Sequence, residues 1–257
     1  MTSDIGWTGL AASIALVAIA VALSLWRSLS LERAILWASA RALVQLLLVG
    51  VALGFVLDAS LAWSWAWVVA MVLFAADTVR RRAPEVPRLF SLSLLAFSAA
   101  TVVTLLVLFG LRVFPLEPRT LIPLAGLMIG NSMTATVLVA RRVLEELRDK
   151  RDEVEARLAL GIAAPDAARP YVRAALRTAM IPQIETTKAV GLVFLPGAMT
   201  GLILAGVSPL AAVKIQIAVM YLVLGAAATT TVVVGLGVQR RLFTRDHRLS
   251  VPTRVPT

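Results

Sequence analysis

The residues able to do chemistry in this 257-residue chain are few, and their kinds point to binding and movement rather than bond making. There is no cysteine, hence no thiolate ligand, disulfide framework or cysteine nucleophile. The one histidine, His247, sits in a basic tail beyond the last apolar run, which excludes a histidine metal or proton site inside a membrane. No Ser-His, zinc-binding or paired-carboxylate constellation occurs, and no G-x-x-x-x-G-K-[ST] phosphate loop is present. The chain therefore reads as a non-enzyme with no cofactor of its own. Met128, Met133 and Met199 are soft donors in apolar stretches, where methionine is ordinarily filler. No acidic cluster lies in those stretches, so a carboxylate site for a hard cation is not supported and the metal ligands, if any, stay unknown.

What remains is a set of polar and small residues in apolar surroundings, where they are costly unless used. Arg41 and Gln45 lie one turn apart on one helical face; Arg41 either snorkels to lipid headgroups or shares with Gln45 an interior face lining a path. Asn131 follows Gly130 in mid-run and requires either an interhelical hydrogen bond or a watery path. Glu185 and Lys188 stand where a later apolar run begins, as an interfacial charge pair. Glycines recur at four-residue spacing in Gly50 and Gly54, Gly126 and Gly130, and Gly197 and Gly201, a spacing that lets helices approach closely. Pro196 precedes the last pair and reads as a kink, so Pro196, Gly197 and Gly201 are either packing or a gate.

One polar stretch interrupts this apolar chain. Residues 155–182, EARLALGIAAPDAARPYVRAALRTAMIP, alternate Arg157, Arg169, Arg173 and Arg177 with Leu158, Leu160, Ile162, Tyr171, Leu176 and Ile181. That pattern predicts two short amphipathic helices on a surface, with Pro165 ending the first and Asp166 starting the second. Glu155, Ala156 and Gly161 by themselves also fit a helix closed by its C-terminal glycine.

The elements that must position these residues follow from composition. A mean hydropathy of +0.86, with 59% hydrophobic and 16% charged residues, defines an all-α, multi-pass membrane protein. Apolar runs predict about seven spans, at residues 10–26, 35–57, 61–79, 90–113, 121–140, 189–207 and 211–238, in a single transmembrane domain covering residues 1–257, with a cytoplasmic helical loop over residues 141–188. Trp63, Trp65 and Trp67 form an aromatic belt at the outer end of the third. Alternating the loops puts twenty-two lysines and arginines on one side and three, Arg112, Arg119 and Lys214, on the other. This predicts an outside N-terminus and a cytoplasmic C-terminus, and it accounts for the net charge of +10 without nucleic acid. Between residues 140 and 157 the pairs Glu146 with Lys150, Arg148 with Asp152 and Glu153 with Arg157 predict the fifth helix continuing as a solvated rod.

Three blocks taken together carry a family likeness: LERAILWASARALVQLLLVG from residue 31, IPLAGLMIGNSM from residue 122, and LALG at 158–161 continuing to IPQIETTKAVGLVFLPGAMTGLILAGVSPLAAVKIQI from residue 181. In these the chain resembles the FetB/YbbM-type permeases of ATP-binding-cassette exporters, a family associated with iron efflux in bacteria and aluminium tolerance in plant relatives. The resemblance implies a permease subunit in the cell (inner) membrane for a metal ion such as iron. It would work as a homodimer in the lipid bilayer with a separate cytoplasmic ATPase that holds ATP and Mg. It also implies an ATPase-docking role for Glu155, Ala156, Leu158, Leu160, Gly161 and Pro182, although Pro182 comes about eight residues later than the importer loop pattern places its proline. The rival is an ion-coupled secondary transporter without an ATPase. Such carriers show internal repeats and intramembrane ionisable groups, and here no clear repeat is seen and the groups reduce to Arg41.

Overall fold

A backbone surrounded by lipid has no water to bond, so runs of this composition satisfy their amides only as helices. The computed structural model describes residues 7–57, 60–244, 246 and 248–250, and all of its regular elements are α-helices. His247, Arg245 and Arg254 of the basic tail lie outside the described residues. The chain divides into two units, residues 1–59 and 60–257.

The first unit is a helical pair, α1 (Trp7–Trp26) and α2 (Glu32–Leu57). The turn between them uses Ser28 and Ser30 at φ of 52° and 56°, and Ser24 Oγ both accepts from the Leu31 N–H at 3.1 Å and donates to Glu32 at 3.0 Å. Glu32 thereby stands in the first turn of α2, where a negative charge suits the helix dipole. None of the described side chains of α2 is buried within this unit.

The second unit contains α3 (Leu61–Arg82), α4 (Leu89–Gly110), α5 (Pro118–Asp149), α6 (Arg151–Ala159), α7 (Ala164–Ala189), α8 (Gly197–Leu204) and α9 (Pro209–Arg241). α5 and α9 are its axis: α5 packs on α3, α4, α7 and α9, and α9 packs also on α4, α7 and α8. Their 32 and 33 residues reach about 48 and 50 Å at about 1.5 Å per residue, well beyond the roughly 30 Å of a hydrocarbon core. Small side chains let these helices approach closely: Ala76, Ala96, Ala125, Ala140, Ala167, Ala168, Ala175 and Ala226 are all fully buried. A Cβ on Gly235 would come within 2.6 Å of Leu176 and 3.2 Å of Val139, so this glycine sets the three-way contact of α5, α7 and α9. Five helices among the described residues are long and apolar enough to cross a membrane: α2, α3, α4, α5 and α9.

Arginines at the helix ends close the turns. Arg141 donates to the Arg82 carbonyl and pairs with Glu85 at 3.0 Å, while Arg241 donates to the Arg88 carbonyl and to Ser91 Oγ at 3.1 Å. Arg141 thereby caps a carbonyl in the last turn of α3, and Arg241 binds the N-cap of α4, whose carbonyl also accepts from Ser91 Oγ.

Several expectations change here. Residues 189–207 do not form one helix: α7 ends at Ala189, residues 190–196 run irregularly, and α8 covers only eight residues. Gly191, at φ 86°, donates to the Phe194 carbonyl at 3.0 Å, and Val193 donates to Ala189 at 2.9 Å, a turn incompatible with a continuing helix. Pro196 does not kink a helix; with ψ 141° it is the N-cap of α8 and begins one. Likewise Pro165 is in the first turn of α7 rather than at the end of the preceding helix, because a ring-locked φ and a missing donor cost nothing there. The two short helices are therefore α6 and a 26-residue α7. The rod beyond α5 is also broken at Lys150, where Lys150 pairs with Glu153 at 2.8 Å and Arg151 pairs with Glu155 at 2.6 Å.

Candidate functional site

The elbow between α6 and α7 is made by a glycine stop. After Ala159 the chain turns at Gly161, whose φ of 81° is open to glycine and strained for other residues. The Gly161 N–H bonds the Leu158 carbonyl at 2.9 Å and the Ile162 N–H bonds Arg157 at 3.1 Å, the paired reverse bonds of a Schellman ending. Gly161 thus has a complete structural explanation.

The same stop pushes apolar side chains outward. Leu160 is 81% exposed and Ile162 is 40% exposed. Beside them a groove of about 700 Å³ is lined by Arg151, Glu155, Leu158 and Gly161 from the elbow and by Asp246, Arg248 and Leu249 from the tail. The tail residues are held there because Leu249 is buried in the main core, the Ser250 N–H bonds Leu242 at 2.7 Å, and the Thr244 N–H bonds Arg248 at 2.9 Å. An exposed apolar pair with a charged rim is a surface suited to a protein partner.

The elbow is fixed to the bundle by contacts that sequence spacing did not predict. Tyr171 on α7 donates its hydroxyl to Glu153 on α6 at 2.7 Å, Lys150 pairs with the other oxygen of Glu153, and the Arg157 guanidinium lies 5.6 Å over the Tyr171 ring. The hydrogen bonds from Lys150 and Tyr171 hold the Glu153 carboxyl below its usual value. In return, accepting from Tyr171 raises that phenol, and pairing with Glu153 raises Lys150. Gln239, 7% exposed near the end of α9, donates to the Pro165 carbonyl at 2.9 Å and so ties the first turn of α7 to the axis. Its only sequence signal was a glutamine at the end of an apolar run.

The expected site residues separate into four groups. Glu155, Leu158 and Gly161 line the elbow groove, with Ala156 and Leu160 exposed on the same elbow. Pro182 is elsewhere: it lies inside α7, about 27 Å along the helix from Ala164, because α7 is continuous where a loop was expected. There it joins a notch of about 230 Å³ formed by Gly130, Asn131 and Thr134 of α5 with Gln183 and Thr186 of α7. Asn131 donates to Leu127 of its own helix at 2.7 Å rather than across to another. Glu185 and Lys188 form an exposed pair at 2.9 Å on the same stretch of α7. Pro196, Gly197 and Gly201 sit at and after the break, and nothing lies within 4 Å of a Cβ built on either glycine, so this pair packs against no neighbour among the described residues. Arg41 and Gln45 are exposed on α2 of the first unit. No group of three His, Asp or Glu side chains that could hold a metal ion occurs among the described residues.

Similarity to known proteins covers nearly the whole chain. The profile of "Uncharacterised protein family (UPF0014)" matches residues 7–243. The chain is 43% identical over 222 residues to "UPF0014 membrane protein STAR2" of Oryza sativa subsp. japonica, covering 86% of this chain and 78% of that protein. It is 35% identical over 243 residues to "Protein ALUMINUM SENSITIVE 3" of Arabidopsis thaliana, covering 93% and 88% of the two. It is 33% identical over 249 residues to "Probable iron export permease protein FetB" of Escherichia coli (strain K12), covering 94% of each. No solved structure matches. With a helical bundle of membrane-crossing length and relatives of this extent, the chain is a multi-pass membrane protein and belongs to the UPF0014 family.

Proposed function

We propose that this chain is the membrane-spanning permease subunit of an ATP-driven exporter, with ATP and Mg held by a separate cytoplasmic ATPase and two copies of the permease per transporter. The observation that carries it is the α6–α7 elbow. A helix stop there holds Leu160 out at 81% exposure beside a charged groove, and hydrogen bonds from Tyr171 and Gln239 couple the elbow rigidly to the axis. A partner pushing on this elbow acts directly on α7 and α9. The name of the bacterial relative, an iron export permease, supports metal export as the class of task.

The same reading retains seven crossings, an outside N-terminus, a cytoplasmic C-terminus and residence in the cell (inner) membrane. The sixth crossing is then discontinuous, made of the second half of α7, the break at residues 190–196 and α8. The elbow, α6 and the first half of α7 form the cytoplasmic coupling loop. Gly161 is a poor probe of docking because its φ makes any side chain a structural perturbation. Leu160→Glu is the informative variant, since a charge placed at an apolar contact is costly only when a partner covers it. The test is co-purification with a co-expressed cassette ATPase and ATP-driven metal export in vesicles. Loss of both at unchanged thermal stability is expected. Export by the purified permease alone, driven by an ion gradient, would establish the rival carrier.

A further inference from the structure

A break in a membrane-crossing helix is tolerated only where protein covers it or where it lines a cavity. The break here does line one, a cavity of about 420 Å³ that includes Gly191, Pro196 and Met199 together with Gln216 and Met220 of α9. That volume falls within the roughly 300–1,000 Å³ of small-molecule sites. Gln216 is seven residues into α9, about 10 Å from its first residue, so the cavity sits within the apolar part of that helix.

Two independent features of this cavity ask for the same ligand chemistry. The first is the start of α8. The Thr200 N–H is the first to bond within this helix, to Pro196 at 3.1 Å, which leaves the N–H groups of Gly197, Ala198 and Met199 without an intrahelical acceptor. No other protein acceptor serves them among the described residues, and Pro196 and Met199 both face the cavity. The second is Gln216, only 6% exposed and without a hydrogen-bond partner among the described residues, which also lines the cavity. An amide that faces a cavity from an apolar helix with no protein partner is left for water or a ligand to complete.

Amide donors, the positive end of a helix dipole and the absence of any carboxylate in the lining fit an oxygen anion and oppose a bare cation. Lys188 is paired with Glu185 and faces elsewhere, and Lys214 lines a different cavity, between α4 and α9. We infer that the α7–α8 break is a binding site for a small oxyanion, free or as the oxygen shell of a chelated metal, held by the start of α8 at Met199 and by Gln216. The inference rests on the export reading only in taking residues 181–208 as a membrane crossing.

The test uses the full chain in zwitterionic nanodiscs, with citrate, ferric citrate, Fe²⁺ alone and Ag⁺ alone as probes. Because the chain has no cysteine, Val213→Cys on the accessible cavity lining supplies a single thiol at the site, and its maleimide reaction rate reports occupancy. Citrate should slow that reaction and bind in calorimetry. Gln216→Leu should weaken binding about tenfold, the loss expected for one hydrogen bond to a charged group. Gln216→Glu should abolish it by charge repulsion. Gln239→Leu is the control for structural damage: it removes the bond to Pro165 and should lower thermal stability without changing citrate affinity. Equal citrate and ferric citrate affinity identifies the anion as the recognised group, and preference for the ferric complex identifies the chelate. Binding of Fe²⁺ or Ag⁺ alone, or citrate binding indifferent to Gln216→Leu, overturns the inference. None of these measurements involves an ATPase, so their failure leaves the export reading standing, and a chain that binds citrate but never engages an ATPase removes the export reading alone.

Discussion

Glu153 and Tyr171 join α6 to α7 through one short bond, and its loss should be visible at the level of a single atom. Tyr171→Phe removes the hydroxyl while keeping the ring under Arg157, so the unfolding midpoint in detergent should fall by about 2–4 °C. The same cluster has a defined acid limit. Because the Glu153 carboxyl is held below its ordinary value of 4.5, its contribution to stability is complete above that pH and is lost as pH falls through the lower folded value. Acid unfolding of the elbow, followed by a fluorophore on Leu160→Cys, should therefore begin below about pH 4.5 and disappear as a distinct step in Glu153→Gln. Gly161→Ala should destabilise the elbow by about 1–2 kcal/mol, the cost of a side chain in the left-handed region. A change near zero in thermal scans would show that the elbow relaxes to another turn.

α7 has two characters along its length, and this decides what changes in it can do. Its stretch up to Ala179 buries Ala167, Ala168, Tyr171, Val172, Ala175 and Ala179 in the core, while the remainder carries Gln183, Thr186, Glu185 and Lys188 toward the notch and the surface. At Gly235 of α9 a built Cβ would lie 2.6 Å from Leu176 of α7. Gly235→Ala should be tolerated with a small shift of the flexible end of Leu176, whereas Gly235→Leu should cost about 1–3 kcal/mol by overpacking against Val139. Thermal unfolding of the two variants separates these outcomes; equal stability would mean that α7 is free to move away.

The orientation of the whole molecule is open to direct chemistry. With no native cysteine, single thiols placed at Arg248 and Leu116 report sidedness without background. Leu116, 44% exposed in the turn between α4 and α5, should react with an impermeant maleimide in intact cells, and a thiol at Arg248 should react only after permeabilisation. The reverse pattern would invert the topology and with it the cytoplasmic assignment of the elbow. Clamps by Arg141 and Arg241 belong to this scale as well, since they tie the α3–α4 turn to both axial helices. Arg141 and Arg241, counted in the sequence for the expected charge bias, are thus also structural.

The sequence by itself determined the membrane class, the all-helical architecture and the positions of the strongly apolar helices, because length and hydropathy leave a lipid-facing backbone only one conformation. It also offered the glycine stop at Gly161 as one of two readings, since a left-handed helix ending is a local requirement that glycine meets. What tertiary structure decided were matters of neighbours. The start of α7 at Ala164, with Pro165 inside its first turn, depends on a carbonyl that Gln239 meets from seventy-four residues away. The break at residues 190–196 replaced a continuous span because turn bonds to Ala189 and Phe194 compete with the helical ladder, a contest that apolar composition does not register. Gln216 was invisible as a site residue for the same reason: a glutamine in an apolar run gains meaning only once the start of α8 is set against the cavity it lines.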